Sequence, residues 1–134
     1  MPMRILLDTH VYLRWRLDSA KLSREQARAI KAATTSFECI GISGITLVEL
    51  ALLSQGSPFR LKRSLGELLS ELKNEPMIEV LPITPEIAIE MAALIPILRD
   101  PSDSVIVATA RAHGLRLLTS DLRIINSNCV STID

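Results

Sequence analysis

The sequence predicts an α/β fold, a three-layer α/β/α sandwich with a central, mostly parallel sheet of four to five strands. Three observations carry this. Short apolar runs of strand length alternate with longer segments of helical spacing, the order that builds βαβ units. Some of the runs are apolar at consecutive positions instead of every second one, as strands covered on both faces must be. The chain has 134 residues, 48% of them hydrophobic, and at that size it can bury a core without disulfides or metal staples. No linker, internal repeat or low-complexity tract interrupts it, so residues 1–134 are read as one domain.

The elements follow in order. Met3 to Leu7 is an apolar run ending abruptly at Asp8, a strand buried on both sides. A helix begins at Thr9, and Ser23 opens a second with Ser-Arg-Glu-Gln, a capping-box pattern, followed by the helix formers Ala27 to Ala33. Glu38 to Ile42 is the second strand; Thr46 to Ser54 is a helix halted by Gly56-Ser57-Pro58. Leu61 to Asn74 reads as a helix because leucines at 61, 65, 68, 69 and 72 share one face, and Pro76 closes it. Met77 to Leu81 is a strand, Pro85 to Leu98 a helix with Pro96 near its end, and Asp100-Pro101 starts a helix running to His113-Gly114. Leu115 to Leu118 is the fourth strand, and Cys129 to Ile133 a short fifth.

Composition removes several classes of function. Fifteen Lys and Arg face fifteen Asp and Glu, which is unlike a strongly basic nucleic-acid binder, and four aromatic residues offer little for base stacking. Cys39 and Cys129 stand apart without a CxxC or a nearby Cys/His partner, so neither a disulfide framework nor a structural zinc site is expected. The longest uninterrupted apolar run is Met91 to Ile95, too short for a membrane-spanning helix. With no secretory-signal layout at the start, the cytoplasm is the expected compartment.

Four carboxylates stand out by position. Ligands of open parallel sheets bind beyond the carboxyl ends of the strands, and Asp8 and Asp121 each come shortly after an apolar strand. Glu49 is the lone charge in Leu47–Leu53, and Asp103 lies in the first turn of the helix carrying Val105 to Val107. Such a cluster is costly without a counter-charge, because like charges in a desolvated cleft repel and raise one another's pKa. A hard divalent cation removes the cost, and oxygen-only ligands point to Mg²⁺ or Mn²⁺ over zinc. The chemistry this fits is metal-assisted phosphodiester hydrolysis.

Taken singly, each carboxylate also has a structural explanation. Thr46-x-x-Glu49 matches a capping box. Asp100-Pro101 reads as an N-cap with a proline at the first helical position, leaving Asp103 near the positive end of the helix dipole. Asp121 after Thr119-Ser120 fits a turn or a cap. Asp8 is the hardest to account for in this way, and no single-residue explanation accounts for all four belonging on one edge.

These residues carry a family pattern. Over essentially its whole length the chain resembles the PIN domain family, and more closely its bacterial VapC-like toxin branch. The matching pieces are Leu6-Leu7-Asp8-Thr9-His10, Ile42-Ser43 to Thr46-Leu47-Val48-Glu49, Arg99-Asp100-Pro101-Ser102-Asp103 with Ile106 to Ala110, and Leu117 to Asp121. The resemblance implies a metal-dependent ribonuclease of single strands with Asp8, Glu49, Asp103 and Asp121 at its acidic positions and Thr9 and Thr119 beside them. It implies water attack leaving a 5′-phosphate and a 3′-hydroxyl, an antitoxin partner that occupies the cleft, and a homodimer. Asp8 and Asp103 are expected to bind the ion most directly, with Glu49 and Asp121 acting partly through water. Thr46 and the helix cap Asp100 are taken as supporting residues. Ser102 and Ser104 depart from the branch, which often has an aromatic residue and an arginine there.

Arg60, Lys62 and Arg63 form the one tight basic cluster and are the candidates for the RNA backbone, with Arg14 and Arg16 as second choices. His10 reads more simply as a packed or solvated side chain than as a ligand, and His113 before Gly114 as a helix end. Two other readings of the site stay open: a metal-binding interaction module without turnover, and a nucleic-acid-processing PIN nuclease without an antitoxin. Setting aside the four clustered acids leaves 15 basic residues against 11 acidic ones, so the remainder of the domain is mildly basic.

Overall fold

The computed structural model describes residues 1–56 and 63–134. Five strands, β1 (Met3–Leu7), β2 (Cys39–Ser43), β3 (Ile78–Leu81), β4 (Arg116–Leu118) and β5 (Thr132–Ile133), form one sheet in the order β3-β2-β1-β4-β5. Every adjacent pair is parallel. Among the described residues seven helices cover it: α1 (Thr9–Leu17), α2 (Arg24–Thr35), α3 (Gly44–Ser54), α4 (Leu65–Asn74), α5 (Pro85–Leu94), α6 (Pro101–His113) and α7 (Leu122–Ser127).

Alternation along the strands divides the core into two layers. Leu6 and Leu117 point to one face, where they meet Ile87 and Leu94 of α5, Val105 to Ala108 of α6 and Ile124 of α7. Ile5, Leu7 and Leu118 point to the other, against Val11 and Tyr12 of α1, Ile30 of α2, Leu50 of α3 and Leu72 of α4. The central strand β1 is therefore covered on both sides over its carboxyl half, which is why Ile5, Leu6 and Leu7 are apolar at consecutive positions. The leucine face of α4 also serves the core: Leu68 and Leu72 are buried, and Leu65 and Leu69 pack beside them.

Several boundaries differ from the sequence expectation. Helix α3 starts at Gly44 with Ser43 as its cap, the Ser43 hydroxyl accepting from the Ile45 N–H, so Thr46 is not a capping residue and the Thr46/Glu49 capping box does not form. The capping box at Ser23 and Gln26 does form. Residues 61 and 62 of the expected Leu61 to Asn74 helix lie outside the described residues; α4 begins at Leu65 under a Ser64 cap. Helix α5 ends at Leu94, two residues before Pro96, which has no N–H to continue it. Strand β5 keeps only Thr132–Ile133. Helix α7 has no counterpart in the sequence reading, because its six residues are too few to show a period.

The strand order places the functional edge. From β1 the chain builds outward through β2 and β3, then returns to the opposite side of β1 with β4. The crevice between the carboxyl ends of β1 and β4 is the switch point at which open α/β sheets bind ligands. Asp8 follows β1 there, and Thr119-Ser120-Asp121 follows β4. Gly114 makes the return possible: it ends α6 in the left-handed region at φ 65°, its N–H bonded to Arg111 O, one residue before Leu115 enters the core. Nothing lies within 4 Å of a methyl group built at Gly114, so Gly114→Ala tests backbone strain alone. It should lower stability by about 1 kcal/mol in chemical denaturation with the fold unchanged.

Candidate active site

Asp8 caps α1 with its backbone only; its carboxylate makes no capping hydrogen bond. Instead Oδ2 accepts a 2.7 Å hydrogen bond from the buried Thr119 hydroxyl, while the Asp8 N–H extends the sheet to Leu118 O at 3.0 Å. The same Thr119 oxygen accepts from the Asp121 N–H at 3.1 Å. One hydroxyl thus ties together the two acidic strand ends. The Asp8 side chain takes no part in capping α1 and is left for the cleft.

Glu49 is held by a buried pair of hydroxyls. Thr9 Oγ1 donates to Glu49 Oε1 at 2.6 Å and lies 2.9 Å from Thr46 Oγ1. Thr9 and Thr46 are both buried, so Glu49 is aimed from α3 toward the start of α1. On the opposite wall Asp100 caps α6, its Oδ1 accepting from the Ser102 and Asp103 N–H groups at 2.9 and 3.4 Å. That cap orients the first turn and with it Asp103. Asp121 both caps α7, accepting from the Arg123 N–H at 2.9 Å, and receives the Arg123 side chain, Nη2 to Oδ2 at 3.2 Å. Arg123 also reaches Asp103, Nη2 to Oδ2 at 3.7 Å.

Asp8, Glu49, Asp103 and Asp121 line a single cavity of about 410 Å³, together with Asp100, His10, Arg14, Ser120 and Arg123. Their mutual charge is visible in their acidities. Burial pushes the Asp8 carboxyl above its ordinary value against the hydrogen bond from Thr119 and the charge of His10. Burial likewise raises Glu49, against the Thr9 hydrogen bond and with the help of Asp8. Asp103 is pushed up to about 7, first by burial and then by the charges of Asp100, Asp121 and Asp8, with Arg123 offsetting part. At Asp121 burial acts upward too, but the side-chain and backbone hydrogen bonds from Arg123 prevail and hold it below the ordinary range.

The donor set suits a hard cation. It is composed of carboxylate oxygens, and three of the carboxyl groups are raised in pKa by desolvation and crowding, so a positive charge placed among them is favoured. Among the described residues no three His, Cys, Asp or Glu side chains are drawn into a ready-made metal cage. Of the hard cations, Mg²⁺ keeps several waters and uses few direct carboxylates.

Other sequence candidates fall elsewhere. Arg60 and Lys62 lie outside the described residues. Arg63 pairs with Glu71 and, at 3.9 Å, with Glu67 of α4, and it does not line the cavity. Arg16 sits against Trp15 with its guanidinium carbon 4.4 Å from the ring centroid and pairs with Glu71 and Glu75. Ser104 is buried, its hydroxyl bonded to Leu98 O at 2.5 Å and Asp100 O at 3.2 Å; it secures the turn before α6 and does not face the cavity. Arg123 and Ser120 were not singled out by the sequence. Ser120 accepts from Arg14 Nη1 at 3.2 Å and Gln26 Nε2 at 3.1 Å. The spacing of Arg123 two residues after an acidic strand end was the available signal, but it needed α7 to give it meaning.

A parallel α/β sheet with four carboxylates on one cavity at its switch point defines the class as an acidic-site α/β domain. A family model described as PIN domain matches residues 5–127. The chain is 32% identical over 121 residues to Ribonuclease VapC22 of Mycobacterium tuberculosis (strain ATCC 25618 / H37Rv), covering 90% of this chain and 88% of that protein. In structure it is similar to DNA-bound VapBC from Salmonella typhimurium, TM-score 0.71 and 21% identity over 98% of both chains. It is similar also to VapBC2 from Rickettsia felis bound to a promoter DNA fragment, TM-score 0.70 and 15% identity over 98% of this chain and 97% of that one. The chain belongs to the PIN domain family.

The raised pKa of Asp103 makes stability depend on pH. A carboxyl whose folded pKa lies above its unfolded value favours the fold while protonated and loses that contribution as pH rises through the folded value, here about 7. Without divalent ions Asp103→Asn should therefore stabilise the protein at pH 8 by roughly 1–3 kcal/mol and change little at pH 4. Thermal unfolding at the two pH values measures the difference.

Proposed function

We propose that this chain is a metal-dependent endoribonuclease that hydrolyses phosphodiester bonds of single-stranded RNA, acting in the cytoplasm as the toxin of a toxin–antitoxin pair. The convergence of four carboxylates from β1, α3, α6 and the end of β4 on one cavity carries this reading. It is supported by the relative named a ribonuclease and by a similar fold solved as a toxin–antitoxin complex from Klebsiella pneumoniae, TM-score 0.68 and 20% identity over 97% of this chain and 96% of that one.

Asp8 and Asp103 would hold Mg²⁺ or Mn²⁺ directly, with Glu49 and Asp121 completing the site through water. When bound, the ion supplies Lewis acidity at a phosphoryl oxygen and eases loss of a proton from water. The protein's own residues do the positioning. Thr119 fixes Asp8 by its hydrogen bond to Oδ2, so this carboxylate meets the cleft in one orientation at little entropic cost. Thr9 holds Glu49 through Oε1, leaving Oε2 to accept the proton of the attacking water, a role its raised pKa suits. Hydrolysis in this sense leaves a 5′-phosphate and a 3′-hydroxyl.

The antitoxin, encoded beside the toxin, would occupy the same cleft, and the toxin would form a homodimer. The acidic cavity gives an inhibitory partner an obvious anchor, since an inserted arginine or lysine satisfies the crowded carboxylates as an ion does.

Asp8→Asn should fold normally and abolish measurable cleavage of single-stranded RNA. Thr119→Val, nearly isosteric and fully buried, should lower the rate by about 10- to 100-fold with the fold intact. Mg²⁺ or Mn²⁺ should support cleavage and EDTA should stop it. Wild-type rates in Asp8→Asn would overturn the proposal, and metal binding without turnover would favour an interaction module.

A further inference from the structure

A second cavity, of about 230 Å³, adjoins the acidic one and is lined by Ile97, Leu98, Arg99, Asp100, Asp103 and Arg123. Asp100, Asp103 and Arg123 belong to both cavities, so the two share a wall and a ligand in one abuts a ligand in the other. Beyond that wall the chemistry changes. Leu98 is buried, while Ile97, in the turn after α5, is 61% exposed, although it is a large apolar side chain. Arg99 is exposed and, among the described residues, has no carboxylate within ion-pair distance. Arg123 is tied to Asp121 and Asp103 on its cleft side, yet its side chain remains 72% exposed.

An apolar floor between two guanidinium groups, opening beside an acidic cavity, matches one nucleotide of a single strand. Unstacked bases rest on apolar surface or on the planes of arginine side chains, and the phosphate between them seeks an unpaired cation. Scarcity of aromatic residues does not prevent such readout when arginine serves as the stacking surface. Within the acidic cavity Arg14 is held by Ser120 at 3.2 Å, which gives the backbone a further cation in the cleft.

Resting on the ribonuclease reading above, we infer that the cavity between Arg99 and Arg123 is a nucleotide subsite, taking the base next to the scissile phosphate on Ile97 and Leu98 and that nucleotide's outer phosphate on Arg99. It makes this loop, between α5 and α6, a determinant of where RNA is cut.

The experiment uses the full chain, a fluorescent 12-nucleotide single-stranded RNA of mixed sequence, and the variants Arg99→Ala and Ile97→Trp, both at exposed positions. Binding is measured by anisotropy in EDTA over a range of salt, and cleavage sites are mapped in Mg²⁺. Arg99→Ala should weaken binding about 5- to 10-fold and reduce the slope of log affinity against log salt by about 0.7, one phosphate contact on a single strand. Ile97→Trp should leave that slope unchanged and alter the preferred base at one position beside the cut. If both variants bind and cleave as wild type does, the subsite is refuted while the ribonuclease reading stands. If wild type binds the RNA without cutting it and Arg99→Ala binds more weakly, the subsite stands and the ribonuclease reading falls. Wild type that neither binds nor cuts RNA overturns both. Variants that treat RNA as wild type does but escape inhibition by the partner protein assign the cavity to a peptide and refute the nucleotide.

Discussion

The hydrogen bond from Thr119 to Asp8 joins residues 111 positions apart in the chain, and the acidic site depends on it. It exists because β4 pairs with β1, Leu7 opposite Leu118, so the residues just past each strand end arrive side by side. Thr119 then serves two acidic residues at once, donating to the Asp8 carboxylate and accepting from the Asp121 backbone. Breaking the β1–β4 register by one residue would turn every side chain of β4 to the wrong face of the sheet and dismantle the site together with the core.

The site sits in tension with the stability of the fold around it. Three of the four carboxylates are shifted toward their neutral forms by burial and by one another, and the protein compensates with few positive charges of its own, chiefly Arg123. Such a cavity is a poor place for uncompensated charge and a good one for a divalent ion or for an arginine from a partner. Buried threonines at 9, 46 and 119 hold the carboxylates in place with neutral hydroxyls, which orient them without neutralising them.

Much of this was legible in the sequence. The strands β1 and β2 announce themselves because burial on both faces leaves Ile5, Leu6 and Leu7, and residues 39–42, without a polar side chain, and the carboxylate after β1 stands out against that background. Asp100 before a proline is a cap by spacing alone, and the structure bears the cap out. The parts that could not be read depend on tertiary placement. Thr46 carries the local signature of a capping residue, yet Ser43 takes that role and Thr46 turns inward to Thr9. Arg63 sits in a basic cluster by sequence but is claimed by glutamates one and two turns along α4. Arg123 gains its importance from α7, whose six residues are too short for periodicity, and from a sheet order that no local pattern encodes.

The central claim is that carboxylates from four separate segments form one cation site at the β1/β4 switch point. Crystals soaked in Mn²⁺ and measured at the manganese absorption edge test it most directly. The account predicts an anomalous peak in the cavity beside Asp8 and Asp103 that vanishes in Asp8→Asn crystals treated identically. A peak that persists in that variant, or manganese bound away from these carboxylates with the cavity empty, would contradict it.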